Sequence, residues 1–268
     1  MKNVCIALLI LISLSASAQN MLKEVFAPLQ SIKYSWQKPV EKEGKNLLSA
    51  VLFQGQGYDM EYVQVSACEV RSSKKKTELQ IPSDEEHLII IKSGHLNISF
   101  GDSTWSLTPG SIALLMPDEK FTIQNPAKDP GRYYLMKYRS KSAHSPERGK
   151  ASGGSFVREW NRLTFRKHDR GGVRSYFEIG TPMSKRFEMH VTTLNAGLKS
   201  HDPHTHRAEE IILMLEDTGG PKAKTEMLIG DSSFKGEAGD LYYVGSNLLH
   251  GIRNTGEGPC SYFAFQFE

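Results

Sequence analysis

Past residue 30 the apolar positions recur at every second residue. Val63, Val65 and Ala67 alternate with Gln64 and Ser66; Phe187, Met189 and Val191 alternate with Glu188, His190 and Thr192; Phe263, Phe265 and Phe267 alternate with Ala264 and Gln266. A period of two predicts β-strands, because successive side chains leave a strand on opposite faces. Turn signals such as Gly101-Asp102, Pro109-Gly110, Gly230-Asp231 and Ala238-Gly239 punctuate these runs. Many short strands so spaced predict an all-β sandwich or barrel. Between Arg139 and Gly154 the text changes to RSKSAHSPERGKASGG, nearly free of large apolar residues. That is a linker composition.

A linker in mid-chain prompts a search for an internal repeat. Shifting the sequence by 129 positions lays Gly101, Asp102 and Ser103 on Gly230, Asp231 and Ser232, and Gly110 on Gly239. The same shift lays Ile123, Asn125, Pro130 and Tyr133 on Ile252, Asn254, Pro259 and Tyr262. Upstream the shift becomes 124, which sets Glu85-Glu86 on Glu209-Glu210 and leaves the polar stretch 217–224 to absorb the difference. Two copies of one antiparallel module are expected. They divide the chain into a leader over 1–18, an N-terminal module over 19–139, a linker over 140–154 and a C-terminal module over 155–268.

Composition narrows the partners. Of 268 residues, 33 are basic and 30 acidic, giving a net charge of +3. Nucleic acid is therefore not the expected partner, since phosphate recognition shows as a concentrated basic excess. The N-terminus opens with Lys2, continues as an apolar run from Val4 to Leu14 and reaches Ala16-Ser17-Ala18, the pattern of a signal peptide cut after Ala18. The run is about half the roughly 20 residues that span a bilayer. A secreted or periplasmic protein is expected, with no membrane association after cleavage. Cleavage removes Cys5, leaving Cys68 and Cys260. An oxidising compartment leaves a bridge between them open, and free buried thiols are the expectation.

The two copies differ in chemistry. The second reads Gly197-Leu-Lys-Ser-His201-Asp-Pro-His204-Thr-His206-Arg-Ala-Glu209-Glu210 and later Gly239 through His250 to Asn254. On a continuous strand His204, His206 and Glu210 project together, and His250 adds a third imidazole. This mixed nitrogen and oxygen set suits one divalent Mn, Fe, Ni or Zn ion and leaves positions open for substrate. At matched positions the first copy has Gln80, Pro82 and Phe121 and keeps only Glu86, so it is expected to bind no metal. Glu86 is then a rim or hydrogen-bonded residue, and His87 and His95 are surface residues. His201 and Glu209 fall on the opposite face from the ligands. Arg186, Glu188 and His190, with Thr192, form a polar face on the strand before the first motif. If that face lines the barrel, Arg186, Glu188 and His190 are catalytic candidates, with His190 as acid or base; if it faces solvent, they are merely solvated. Tyr176 and Tyr262 are expected to pack in the core, and Gln266 shares their strand-face ambiguity.

These motifs resemble the cupin superfamily, in which a glycine precedes His-x-His and Glu, and a second glycine precedes His and Asn. Gly197 stands one residue further from His204 than that pattern asks, while Gly239, His250 and Asn254 keep its register. Gly245 and Asn247 stand where Pro and Gly are usual. The repeat extends the resemblance to a bicupin of two tandem double-stranded β-helix, or jelly-roll, barrels. The resemblance implies metal-dependent isomerase or lyase chemistry on a sugar, sugar acid or related polar metabolite. It leaves open a ureidoglycine aminohydrolase-like enzyme, an Fe-dependent dioxygenase and a non-catalytic metal- or sugar-binding protein. A small-molecule substrate is the expected partner, and a homodimer is compatible with the fold.

Overall fold

The computed structural model describes residues 26–215 and 224–268. The leader over 1–18 and most of the stretch 217–224 fall outside them. Among the described residues no helix is long and apolar enough to cross a membrane. The protein is built from antiparallel strands arranged as two double-sheet jelly-roll barrels, each pairing a seven-stranded sheet with a smaller one.

In the N-terminal barrel the large sheet runs Phe156–Arg158, Ile112–Leu115, Glu86–Ser93, Gly131–Ser140, Met60–Val70, Leu47–Gly55, Glu41–Lys42. Its small sheet runs Thr77–Gln80, Lys120–Gln124, Leu96–Phe100, Ser103–Leu107. In the C-terminal barrel the large sheet runs Lys33–Tyr34, Leu241–Val244, Glu209–Met214, Cys260–Phe267, Phe187–Leu194, Gly171–Ile179, Arg166–His168. Ser232–Glu237, Lys224–Ile229 and His250–Asn254 form its small sheet. Two outer strands are exchanged: Lys33–Tyr34 comes from the first half of the chain, and Phe156–Arg158 lies beyond the linker. The linker itself contains a short helix, Pro146–Ala151, started by Ser145 and Pro146.

The large sheets are buried on both faces, so their central strands read as continuous apolar runs rather than alternations. Leu88, Ile90, Met136, Ile211, Leu213 and Phe265 belong to one core cluster shared by the two barrels. Their neighbours in sequence face the barrel interiors, with Ile89 and Ile91 in the first and Ile212 and Met214 in the second. Parity along a strand thus decides whether a side chain enters a barrel or the interface between barrels.

That parity corrects the repeat alignment at one place. Lys137 lies opposite His87 and Gln266 lies opposite Glu210, each on the central strand of its sheet. His87, not Glu86, therefore occupies the place of Glu210, because a one-residue slip moves a side chain to the other face. His87 is 7% exposed and faces the barrel interior, not the surface. Leu79 opposes Phe121 as His204 opposes His250, so Leu79 rather than Gln80 stands at the position of His204. His95 is exposed.

Glu86 and Glu209 are instead matched interface residues. The Met183 N–H donates to Glu86 at 2.7 Å, and the Tyr58 N–H donates to Glu209 at 2.7 Å, each from the opposite module. Tyr138 and Tyr243 add hydroxyl donors from within each module. Gly57 abuts this clamp: a Cβ there would sit 2.5 Å from Glu209 Oε2. Gly110 meets a related constraint, adopting φ +83° beneath the Trp160 ring, 2.6 Å from where a Cβ would lie. The two thiols, Cys68 and Cys260, are buried and unbridged.

Burial raises the Glu86 carboxyl from an ordinary 4.5 to about 7, against the opposing pull of its donors Tyr138, Met183 and Thr181. The folded state therefore holds this proton more tightly than the unfolded chain does. The stabilisation it contributes is complete below about pH 4.5 and is lost as pH rises through about 7. Denaturant unfolding of Glu86→Gln across that window is expected to show a shallower decline with pH than the parent; an unchanged slope would refute the assignment. Gly57→Ala should lower stability by about 1–3 kcal/mol through overpacking, read as a reduced denaturation midpoint.

Candidate metal centre

Residues 201–208 lie in a loop rather than on the continuous strand expected for them, since regular pairing begins only at Glu209. His204 is held by an isolated bridge to His250, each backbone N–H donating to the other's carbonyl at 3.0 Å. The His206 carbonyl accepts from the Asn247 N–H at 2.8 Å. Asn247 has φ +59°, a left-handed turn conformation that Asn tolerates in place of Gly. Asp118, its match in the first module, has φ +64°.

These constraints bring His204, His206 and His250 together, with one ring nitrogen from each within 4.8 Å of the others. A first-row ion lies about 2.0–2.1 Å from imidazole nitrogen, so small side-chain rotations close the three on one ion. Glu210 stands beside them, its Oε2 3.1 Å from His250 Nε2 and 3.8 Å from His206 Nε2.

The ring tautomers follow from the partners. His206 Nδ1 is 2.8 Å from the Ala208 carbonyl and His250 Nδ1 is 2.8 Å from the Leu248 carbonyl. A carbonyl oxygen only accepts, so both Nδ1 atoms carry hydrogen and each neutral ring presents an Nε2 lone pair to the site. Carbonyl contacts of this kind orient metal-binding histidines. His250 Nε2 is buried and has no hydrogen-bond partner among the described residues. Lone pairs on His206 and His250 thus face a carboxylate, an arrangement that calls for positive charge between them. A divalent cation meets that demand, and so would ring protons. The residues fit a metal.

Glu210 is 6% exposed, and burial alone would raise its carboxyl. Its contacts with the His206 and His250 rings and the hydrogen bond from Gln266 outweigh that and hold it well below the ordinary carboxylate range. The Glu210 interaction raises His206. Partial burial and the neighbouring His201, His250 and His206 lower His204, which keeps its ring neutral.

His204, His250 and Glu210 border a cavity of about 270 Å³ that is also lined by His168, Arg170, His190, Thr192, His201, Tyr262 and Gln266. The polar face of strand Phe187–Leu194 therefore lines the barrel. Of the three catalytic candidates on or beside it, only His190 borders the cavity. Arg186 and Glu188 stand behind it: Arg186 pairs with Glu178 at 3.0 Å and with Glu188, and Glu188 Oε1 is 3.3 Å from His190 Nδ1. The contact with His190 lowers Glu188, against partial burial.

Gln266 links the two groups. Its Oε1 accepts from Arg186 at 3.5 Å, and its Nε2 donates to Glu210 at 3.2 Å and lies 3.4 Å from His206 Nε2. Sequence reasoning left Gln266 undecided, although its parity with Ala264 on a barrel strand marks the inward face. His168 and Arg170 escaped notice because one ends a three-residue strand and the other lies in the turn that follows it, too short a stretch for periodicity to carry a signal. His201 is exposed at the rim, its ring centroid 4.2 Å from that of His204. Tyr176 packs in the core as expected and donates to the Gly110 carbonyl at 2.6 Å. Tyr262 is buried as well, and it also borders the cavity.

Comparison with known proteins agrees with this architecture. Residues 81–149 match the AraC-like ligand binding domain. No curated protein matches the sequence. Among solved structures, AerE from Microcystis aeruginosa superposes with a TM-score of 0.63 at 17% identity, over 88% of this chain and 98% of that one. The protein Ylba from E. coli gives 0.62 at 13% identity over 87% of each chain. A mutant of Bacillus subtilis oxalate decarboxylase OxdC gives 0.62 at 13% identity over 89% of this chain and 77% of its own. At these identities the similarity establishes the cupin fold.

The purified protein is expected to carry one divalent transition ion per chain by elemental analysis, with His250→Ala losing it and Glu210→Gln binding it about 10–100-fold more weakly. Protein that stays metal-free after growth with added Mn, Fe, Ni and Zn would remove the centre.

Proposed function

We propose that the protein is a secreted or periplasmic metal-dependent enzyme of isomerase or lyase type, acting on a sugar, sugar acid or related small polar metabolite. The observation that carries this reading is the cavity bordered both by His204, His250 and Glu210 of the candidate metal centre and by His190, a side chain backed by a carboxylate. Its volume of about 270 Å³ is at the small end of ligand cavities, which commonly run about 300–1,000 Å³. A single monosaccharide-sized molecule fits that scale better than a polymer.

A divalent ion held by His204, His206, Glu210 and His250 would supply Lewis-acid polarisation of a substrate oxygen. The protein's own groups handle the protons. With Nδ1–H directed at the Glu188 carboxylate, His190 keeps an Nε2 lone pair for taking a proton from substrate. Glu188 stabilises the imidazolium that results, and Arg186 holds Glu188 in place. Tyr262 is kept protonated by burial, above its ordinary value, and serves as a hydroxyl donor in the cavity wall. Arg170 and His168 at the mouth suit an anionic substituent on the substrate.

The match of residues 81–149, in the N-terminal barrel and linker, to a ligand-binding domain supports a second reading by analogy between the two barrels, capture without conversion. A screen of aldoses, ketoses and uronates by proton NMR, with the metal-loaded protein, separates the two. Turnover should appear in at least one class, and His190→Gln should lower kcat by about 10²–10⁴-fold while leaving metal content intact. Binding with no turnover in any class would favour capture.

A further inference from the structure

The N-terminal barrel encloses its own cavity of about 210 Å³, and its lining is not that of a packed core. Across the large sheet, Gln64, Lys137 and His87 lie side by side. In the C-terminal barrel Glu188, Gln266 and Glu210 occupy the same three places. Two carboxylates are thus replaced by an amide and an imidazole, and an amide by an ammonium group. The row that holds two carboxylates in one barrel holds the Lys137 ammonium in the other, with Glu43 and Glu85 lining the same cavity.

Lys137 acts on the nearby Glu85 carboxyl through its charge, helping to lower it. Glu85 is paired with His87 at 3.1 Å and with Arg139 at 3.5 Å. Glu43 accepts from Ser49 at 2.6 Å at the edge of the cavity. Among the described residues Lys137 forms no ion pair. Ser66, 2% exposed, is oriented by a relay: Tyr62 donates to Gln64 Oε1, and Gln64 Nε2 donates to Ser66 Oγ at 2.7 Å. Its own hydrogen is then free to point into the cavity. Facing these donors from the small sheet are Leu79 and Phe121, while Ile89 and Leu135 continue the donors' own wall as apolar surface. A barrel kept only for packing would fill this space with apolar side chains, since polar groups facing an interior cost free energy unless they are used.

We propose that the N-terminal barrel is a metal-independent binding site for a small organic carboxylate. The carboxylate is held by Lys137 Nζ and the Ser66 hydroxyl, and its apolar body lies against Phe121. This site goes beyond the metal-dependent reading of the C-terminal barrel and stands or falls independently of it.

The test is calorimetric titration of the full chain, freed of metal with a chelator so that no ion can ligate the probe. Butyrate and benzoate are the probes, with butyramide and benzamide as uncharged counterparts of the same shape. Both carboxylates are expected to bind, each amide at least about 10-fold more weakly, because a charge-assisted hydrogen bond is lost. Lys137→Gln should weaken carboxylate binding by a similar factor at an unchanged melting temperature, and Ser66→Ala should weaken it several-fold. Should Lys137→Gln melt early, Ser66→Ala and the amide comparison decide. The proposal is overturned if neither carboxylate binds, if the amides bind as tightly, or if both variants bind like the parent.

Discussion

The burial of each large sheet on both faces governs the rest of the molecule. One face closes a barrel and the other packs against the partner barrel, so no central strand position is solvated by default. Each residue is assigned to a cavity or to the shared core by its parity alone. Glu209 and Glu210 are adjacent in sequence yet serve opposite ends of this division, one accepting a backbone N–H from the first module and the other facing three imidazoles. A carboxylate buried at either place needs donors of its own. The structure supplies Tyr243 and Tyr58 to Glu209 and Gln266 to Glu210, which the His206 and His250 rings also face.

The centre itself is an exercise in fixing lone pairs. Backbone carbonyls at Ala208 and Leu248 settle which nitrogen of His206 and His250 faces inward. The amide of Gln266 is settled by Arg186, which also engages Glu188 behind His190. One guanidinium thus orients both the metal-facing and the proton-handling sides of the cavity without bordering it. Arg suits this task, since its planar fork offers several donors in fixed directions.

Much of this was legible beforehand. The alternation around Phe187 to Thr192 and Phe263 to Phe267 identified strands, and the matched turns at Gly101, Gly110, Gly230 and Gly239 identified two copies. Spacing brought His204, His206, Glu210 and His250 into one group. What misled was register: identical Glu-Glu pairs at 85–86 and 209–210 invited an alignment that the hydrogen bonding shifts by one residue. Sequence identity cannot detect such a slip where both faces of a strand are buried, because the usual apolar and polar contrast is missing. His87 and Lys137 were hidden for that reason. Arg170, in a turn, and His168, ending a three-residue strand, were hidden for another, since so short a stretch has no periodicity to place them.

The exchanged outer strands carry a consequence of their own. A single module of this kind, made as a separate chain, would trade those strands with an identical copy, and twofold symmetry would then give both halves the same pocket. Joining the halves through residues 140–154 keeps the mutual embrace while lifting that symmetry. Phe121 can then stand in one barrel where His250 stands in the other, and Lys137 where Gln266 does. Covalent linkage here gives two pockets, each lined by its own barrel, the freedom to diverge in chemistry.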